Sequence, residues 1–206
     1  MTIRRREFLY RAAETGALII ASELPLAAIS RAFAGPARKP TPSAVLGPFY
    51  RRLAPHRSVL YRHGDPGVPL HITGTVYSTK GIKLPGARIE IWQSNGAGFY
   101  DSAGNRYRDT LNANIEGVYA VFTVIPAHYP GRVCQHVHYL VRAEGHKPLV
   151  TQLFFTSDKV FEGDPDKNFT RDPLITSREL IRPVTRSGGA QAIAANVTFD
   201  LVLEPA

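Results

Sequence analysis

An all-β fold, an antiparallel β-sandwich with long functional loops, is predicted for this chain from three observations. Apolar residues recur with period two in separate stretches between Leu70 and Leu203. Turn residues, mostly Gly and Pro, separate those stretches. The 206 residues, 44% hydrophobic and 20% charged, suffice for one sizeable core but not comfortably for two. Short alternating strands bounded by such turns are the pattern of a sandwich.

Taken in order, residues 1–34 read as an export signal rather than as part of the fold. Arg5-Arg6-Glu7-Phe8-Leu9 is a twin-arginine pattern, a modestly apolar stretch follows over 12–29, and Ala32-Phe33-Ala34 forms an A-x-A cleavage site before Gly35. Glu14 and Glu23 interrupt the apolar run, which is too short and broken for a transmembrane helix. The expectation is export to the periplasm or beyond, with no stable membrane insertion. Residues 35–69 are expected to be a linker and lead-in segment. Its first part, 35–43, is rich in Pro and Lys and predicts no ordered structure. Residues 70–206 then form the functional sandwich domain.

Leu70, Ile72 and Val76 alternate with polar or small residues and open that domain; Lys80-Gly81 and Leu84-Pro85-Gly86 turn the chain. Ala87, Ile89 and Ile91 form the next set. Glu116-Gly117 precedes Val118, Ala120, Phe122 and Val124, and Pro130-Gly131 precedes the strand around Val137. Glu144-Gly145 leads into Leu149, Thr151, Leu153 and Phe155. Residues 156–196 show no period and predict long loops with a short helix near 177–181; loops of that length carry function or an interface. Val197, Phe199, Leu201 and Leu203 close the pattern.

The net charge of +8 does not by itself indicate nucleic acid. There is no Lys/Arg block interleaved with aromatics, no zinc-finger spacing and no RNP motif, so no nucleic-acid partner is expected. The single cysteine, Cys134, excludes an internal disulfide, so stability comes from the core or from a bound metal. Cys134 itself reads as a small buried apolar residue.

The chemistry lies in Gln135-His136-Val137-His138-Tyr139. In a strand, residues i and i+2 share a face, so His136 and His138 present two imidazoles side by side. A lone pair of this kind reads equally well as surface histidines. Two tyrosines at turns shift the balance: Tyr129 in Pro126-Ala127-His128-Tyr129-Pro130, and Tyr100 at the tip of Asn95-Gly96-Ala97-Gly98-Phe99-Tyr100. Each alone reads as a packing residue; together with the histidines they suggest a metal site. Two phenolates and two imidazoles favour a hard, highly charged ion, Fe(III), over zinc or copper(I). A catechol dianion, with two adjacent oxygens, chelates such an ion. His128 adjoins Tyr129 and could line the site, and Tyr50 is a candidate contact.

The stretch Leu84-Pro85-Gly86-Ala87-Arg88-Ile89-Glu90-Ile91-Trp92-Gln93-Ser94-Asn95 strongly resembles the core of the intradiol ring-cleavage dioxygenases, the family of catechol 1,2- and protocatechuate 3,4-dioxygenases. The likeness continues through Gly98-Phe99-Tyr100, Glu116-Gly117-Val118-Tyr119, Tyr129-Pro130, His136-Val137-His138, Thr151-Gln152-Leu153-Phe154-Phe155 and Gly163-Asp164-Pro165, with Gly47-Pro48-Phe49-Tyr50 as lead-in. It implies Tyr100 and His136 as the equatorial Fe(III) ligands, and Tyr129 and His138 as the axial pair. Tyr129 would also take a substrate proton, and Gln152 would lie near substrate and oxygen. The implied reaction opens a catechol-type ring with O2 to a muconate-type diacid. In length the lead-in is more similar to protocatechuate-type subunits, and an oligomer is compatible with the family's range from dimers to large assemblies.

One position departs from the family. An arginine normally stands three residues before the first histidine; here that residue is Val133, and Arg132 lies one earlier. A strand running back regularly would put Arg132, Cys134, His136 and His138 on one face. Arg132 then either fills the role from a shifted register or points to solvent. The competing function is an exported, non-catalytic β-sandwich binding module with a lost or altered iron site.

Overall fold

A computed structural model of the chain describes residues 35–52, 54–57, 59–187 and 194–206. The expected export signal lies outside the described residues. Pro36–Ala206 form one compact unit, and among the described residues no helix is long and apolar enough to cross a membrane.

Two mixed sheets build the sandwich. In the first, β1 (Pro69–Ser78) pairs antiparallel with β4 (Val118–Val124) on one side. On its other side it pairs parallel with β9 (Ala194–Thr198) and then β10 (Leu201–Leu203). β8 (Thr185–Ser187) adds to β9. The second sheet has the order β3 (Arg108–Asn112), β2 (Arg88–Trp92), β5 (His136–Arg142), β6 (Leu149–Phe155), β7 (Ile181–Arg182). Its pairs are antiparallel except β6 with β7. The parallel pairs refine the antiparallel sandwich expected from the sequence; periodicity marks strands but not the direction of their partners.

The last alternating stretch is two strands, not one. Phe199 N–H donates to Thr73 O at 2.8 Å, and the Thr75 N–H turns to the Asp200 side chain at 2.9 Å, so the pairing with β1 is interrupted there. Gly74 makes this possible: a β-carbon on it would sit 2.1 Å from the Phe199 carbonyl oxygen.

Leu70, Ile72, Val76, Ile89, Ile91, Leu153 and Leu201 are buried, as their alternation predicts. In β4 the inward set is the other one. Tyr119, Val121 and Thr123 are buried, whereas Phe122 is half exposed and stacks on His71 across the strands at 4.2 Å. Apolar residues occupy both faces of this strand, so alternation alone did not show which face was inside. β3 carried no apolar pattern at all, because two of its five residues, Arg108 and Asp109, are buried polar groups.

The lead-in segment also differs from expectation. Residues 36–46 have no regular secondary structure, yet they are tied to the sheets: Arg38, Thr41 and Ala44 donate backbone bonds to Thr79, Val202 and Val150. Each bond uses a carbonyl that a sheet end or edge leaves open. The predicted helix near 177–181 is a single 3-10 turn, Arg178–Leu180, capped by the Ser177 hydroxyl.

Candidate metal centre

Register puts the candidate residues on one face of the second sheet. Trp92 on β2 is opposite His138 on β5, which is opposite Gln152 on β6; His136 is opposite Phe154. Residues two apart share a face, so His136, His138, Trp92, Gln152 and Phe154 line up on the face away from Ile91, Val137 and Leu153, which belong to the core.

The tyrosines reach this face from two loops packed backbone on backbone. The Asn95 side chain accepts from the N–H groups of Ala97 and Phe99, both at 2.9 Å, and so curls the loop that ends in Tyr100. The Asn95 carbonyl accepts from Ala127 N–H at 3.0 Å, and the Ser94 hydroxyl donates to the Ala127 carbonyl at 2.8 Å. Gly98, at φ +85°, allows the contact, since a β-carbon there would lie 2.1 Å from the His128 carbonyl oxygen. Gln93 anchors the start of the loop to the other sheet through Val124 O and Thr123 Oγ1. Gln93-Ser94-Asn95 is thus the scaffold that brings Tyr100 to Tyr129.

The four side chains come together. Ring centroids are 5.3 Å apart for Tyr100 and Tyr129, 5.9 Å for Tyr129 and His136, and 4.8 Å for His136 and His138. Phe49 of the lead-in stacks on Tyr100 at 4.1 Å and meets Tyr129 edge-on. Trp92 stacks on His138 at 4.9 Å, and Gly47 packs against the same ring, where a β-carbon would stand 2.9 Å from Cε1. These neighbours fix the rings; in the sequence Phe49 and Trp92 showed only as apolar residues within motifs.

The donor groups are neutral in the metal-free chain. His136 Nδ1 lies 2.8 Å from the Cys134 carbonyl and donates to it, which leaves Nε2 with its lone pair. Burial, then the Arg132 charge, push the His136 pKa down to about 4, so the ring is neutral at neutral pH. Burial pushes His138 well below its usual range, with the neighbouring His136 and Arg132 acting in the same direction. Burial raises the Tyr100 phenol, and Tyr129 adds to this; Arg132 and Arg108 oppose it. His138 approaches the backbone of Val45, and the Tyr100 hydroxyl is buried without a hydrogen-bond partner among the described residues. Buried polar atoms are rarely left so, and oxygen and imidazole donors of this kind suit a hard trivalent ion. No group of three or more His, Cys, Asp or Glu among the described residues could hold a metal; half of this donor set is phenol.

Arg132 points into the centre, with 5% of its side chain exposed. It donates to His136 Nε2 and to Gln152 Oε1, each at 3.1 Å, and approaches Asp172 at 3.4 Å. It arrives by a turn and not by the regular strand extension considered from sequence: β5 begins at His136, and Arg132 N–H donates to Tyr129 O. Val133 is 41% exposed. Gln152 lies beside Arg132, and its amide donates to Val45 O at 2.7 Å. Cys134 is fully buried and its thiol pKa is raised, first by burial and then by Asp172 and Asp158, so it is an inert packing residue. His128 pairs with Asp158, and Tyr50 donates to the buried Glu90 at 2.8 Å while resting against Trp92. Asp158 and Asp172, buried in the long loop region, had no recognisable sequence signal.

Residues 45–205 match a family model described as "Dioxygenase". The chain is 31% identical over 196 residues to a hydroxyquinol 1,2-dioxygenase of Nocardioides simplex, an alignment covering 81% of this chain and 65% of that protein. It is 32% identical over 185 residues to a chlorocatechol 1,2-dioxygenase of Pseudomonas putida, covering 78% and 67%. Among solved structures, the dioxygenase domain of a dioxygenase–carbohydrate-binding protein fusion from Streptomyces sp. SirexAA-E superposes with a TM-score of 0.70 at 32% identity. That match covers 82% of this chain and 100% of the domain. A catechol 1,2-dioxygenase from Acinetobacter sp. ADP1, inhibited by bound mercury, gives a TM-score of 0.66 at 25% identity and covers 80% and 63%. The chain therefore spans about two thirds of the length of these curated relatives.

Proposed function

The chain belongs to the intradiol dioxygenase family, which typically uses non-haem Fe(III), and on that premise we propose that it opens catechol-type rings between their two hydroxyl-bearing carbons, consuming O2 and yielding muconate-type diacids. Tyr100, Tyr129, His136 and His138 would hold the ion. The observation that carries the reading is the convergence of these four side chains, with the Tyr100 hydroxyl buried and unpartnered.

Bound Fe(III) would draw electron density from a chelated catecholate and open its ring to attack by O2. The protein does the rest. His136 and His138 are neutral donors, held by the Cys134 carbonyl and by Trp92 and Gly47. Tyr129 is only partly buried, which suits a side chain that, held as the phenolate when the ion is bound, would take the proton of an incoming catechol hydroxyl and become a neutral phenol. Arg132, held by Gln152 and Asp172, offers a fixed positive charge beside His136 that would stabilise negative charge on a ring bound there. Phe49 covers one face of Tyr100.

The test is the metal content and visible absorption of the purified protein, before and after catechol is added without oxygen. The expected result is about one iron per chain, with a tyrosinate-to-iron absorption that shifts on catechol binding. A protein that stays colourless after ferric reconstitution would overturn the enzyme reading and leave a β-sandwich binding module.

We further propose that residues 1–34 direct export. The support is Arg5-Arg6 followed by an apolar run and Ala32-Phe33-Ala34. Replacing both arginines with lysine is expected to leave the protein in the cytoplasm on fractionation; unchanged export would rule out the twin-arginine route.

A further inference from the structure

Residues 125–135 lie between β4 and β5 and belong to neither strand, yet they carry Tyr129 and lead directly into His136. Their own backbone bonds are few: Ile125 to Val68, Ala127 to Asn95 and Arg132 to Tyr129. Side chains hold the segment elsewhere, Ser94 at the Ala127 carbonyl and Asp172 at the Cys134 N–H, but neither ties the Tyr129 end of the segment to the His136 end.

Asp158 makes that tie. Its side chain is 1% exposed. The Gln135 N–H, one residue before His136, donates to Oδ2 at 2.7 Å. His128 Nε2, one residue before Tyr129, lies 3.1 Å from both carboxylate oxygens. The carboxylate is in turn held by Val160 N–H at 3.1 Å, as the cap of the 3-10 turn Lys159–Phe161. A buried carboxylate makes strong, directional bonds to such donors, and groups behind a metal site orient its ligands.

We propose that Asp158 is a positioning residue, which sets the spacing of Tyr129 and His136 by holding the neighbour of each. It makes no hydrogen bond to either. The inference rests on the reading of Tyr129 and His136 as metal ligands. A purely structural carboxylate would support the fold without affecting the electronic environment of the tyrosinates, and that difference is measurable.

The experiment titrates the full chain, Asp158→Ala and His128→Ala with ferric citrate. It follows the tyrosinate-to-iron absorption and, separately, thermal unfolding. Asp158→Ala is expected to weaken ferric binding about 10- to 100-fold and to shift the absorption band of the iron that still binds. His128→Ala removes a ring that is 43% exposed; it should fold normally, shift the band as well, and lose less affinity. The double variant should be no worse than Asp158→Ala. Bands and affinities equal to the unsubstituted protein in both variants would overturn the proposal, as would a loss of thermal stability with an unchanged band. If Asp158→Ala does not fold, His128→Ala decides alone. A band in the unsubstituted protein that the variants leave unmoved defeats the positioning role only; no band in the unsubstituted protein defeats the ligand reading with it.

Discussion

Arg132 donates a hydrogen bond to Nε2 of His136 across 3.1 Å, although a turn and three residues lie between them. The guanidinium therefore reaches the centre from one position earlier than the family pattern provides. A metal ion on Nε2 would replace that bond, and Gln152 and Asp172 would keep the guanidinium in the same wall.

Arg132→Ala should accordingly lower kcat by about 100-fold, the effect of losing one preorganised donor, while iron content stays near that of the unsubstituted protein. Adding Val133→Arg should not restore the rate, because Val133 is 41% exposed. Steady-state oxygen consumption on catechol checks both. A twofold effect of Arg132→Ala, or rescue by the second substitution, would show that the guanidinium is not the functional group.

Tyr100→Phe separates stability from metal binding. The hydroxyl is buried without a partner, so removing it should leave the metal-free protein as stable, or more stable by up to about 1 kcal/mol. Ferric affinity and the charge-transfer absorption should fall sharply in the same variant. Urea unfolding without metal and a ferric titration together test this. Marked destabilisation of the metal-free protein would mean that the hydroxyl has a structural partner.

The metal-free protein should lose stability as acid is added, and the sign follows from His136. Its pKa is depressed to about 4 in the folded chain against about 6.5 when unfolded. Below about 6.5 the unfolded chain binds a proton that the folded one does not, so stability falls from there down to about pH 4, by up to about 3 kcal/mol. His138 adds a loss of the same sign. Ferric affinity should rise with pH, since the phenols must give up protons on binding. Unfolding midpoints across this window that stay flat would mean that the imidazoles are solvated.

Gly98→Ala should disrupt the centre without touching any of its four side chains. The added carbon would sit 2.1 Å from the His128 carbonyl oxygen at a backbone φ of +85°, so the two tyrosine loops must part. A cost of about 2 kcal/mol or more is expected, with loss of the charge-transfer band. A variant as stable and as coloured as the unsubstituted protein would show that the loops are not held by this contact.

Much of the site was legible because it is written locally. His136 and His138 are two residues apart, and the period of a strand alone puts them on one face. Trp92 and Gln152 joined them only through cross-strand register, which no single stretch specifies. Arg132 could not be resolved from sequence, because its direction depends on the turn at Gly131 and on Asp172, forty residues away. The face of β4 was ambiguous for a related reason: its alternation is apolar on both sides, and only the His71–Phe122 stack and the packing of Tyr119 show which side is inside.

The sequence by itself determined the β-sandwich, the pair of histidines, the two turn tyrosines and the family, since each rests on period, spacing or a short motif. Tertiary structure alone decided that Phe49 and Gly47 pack against the centre, that Asp158 ties two segments together, and that Arg132 faces inward. Those relationships join residues far apart along the chain. They arise from how loops fill space once the sheets have packed, because buried polar groups must find partners and rings must find flat neighbours.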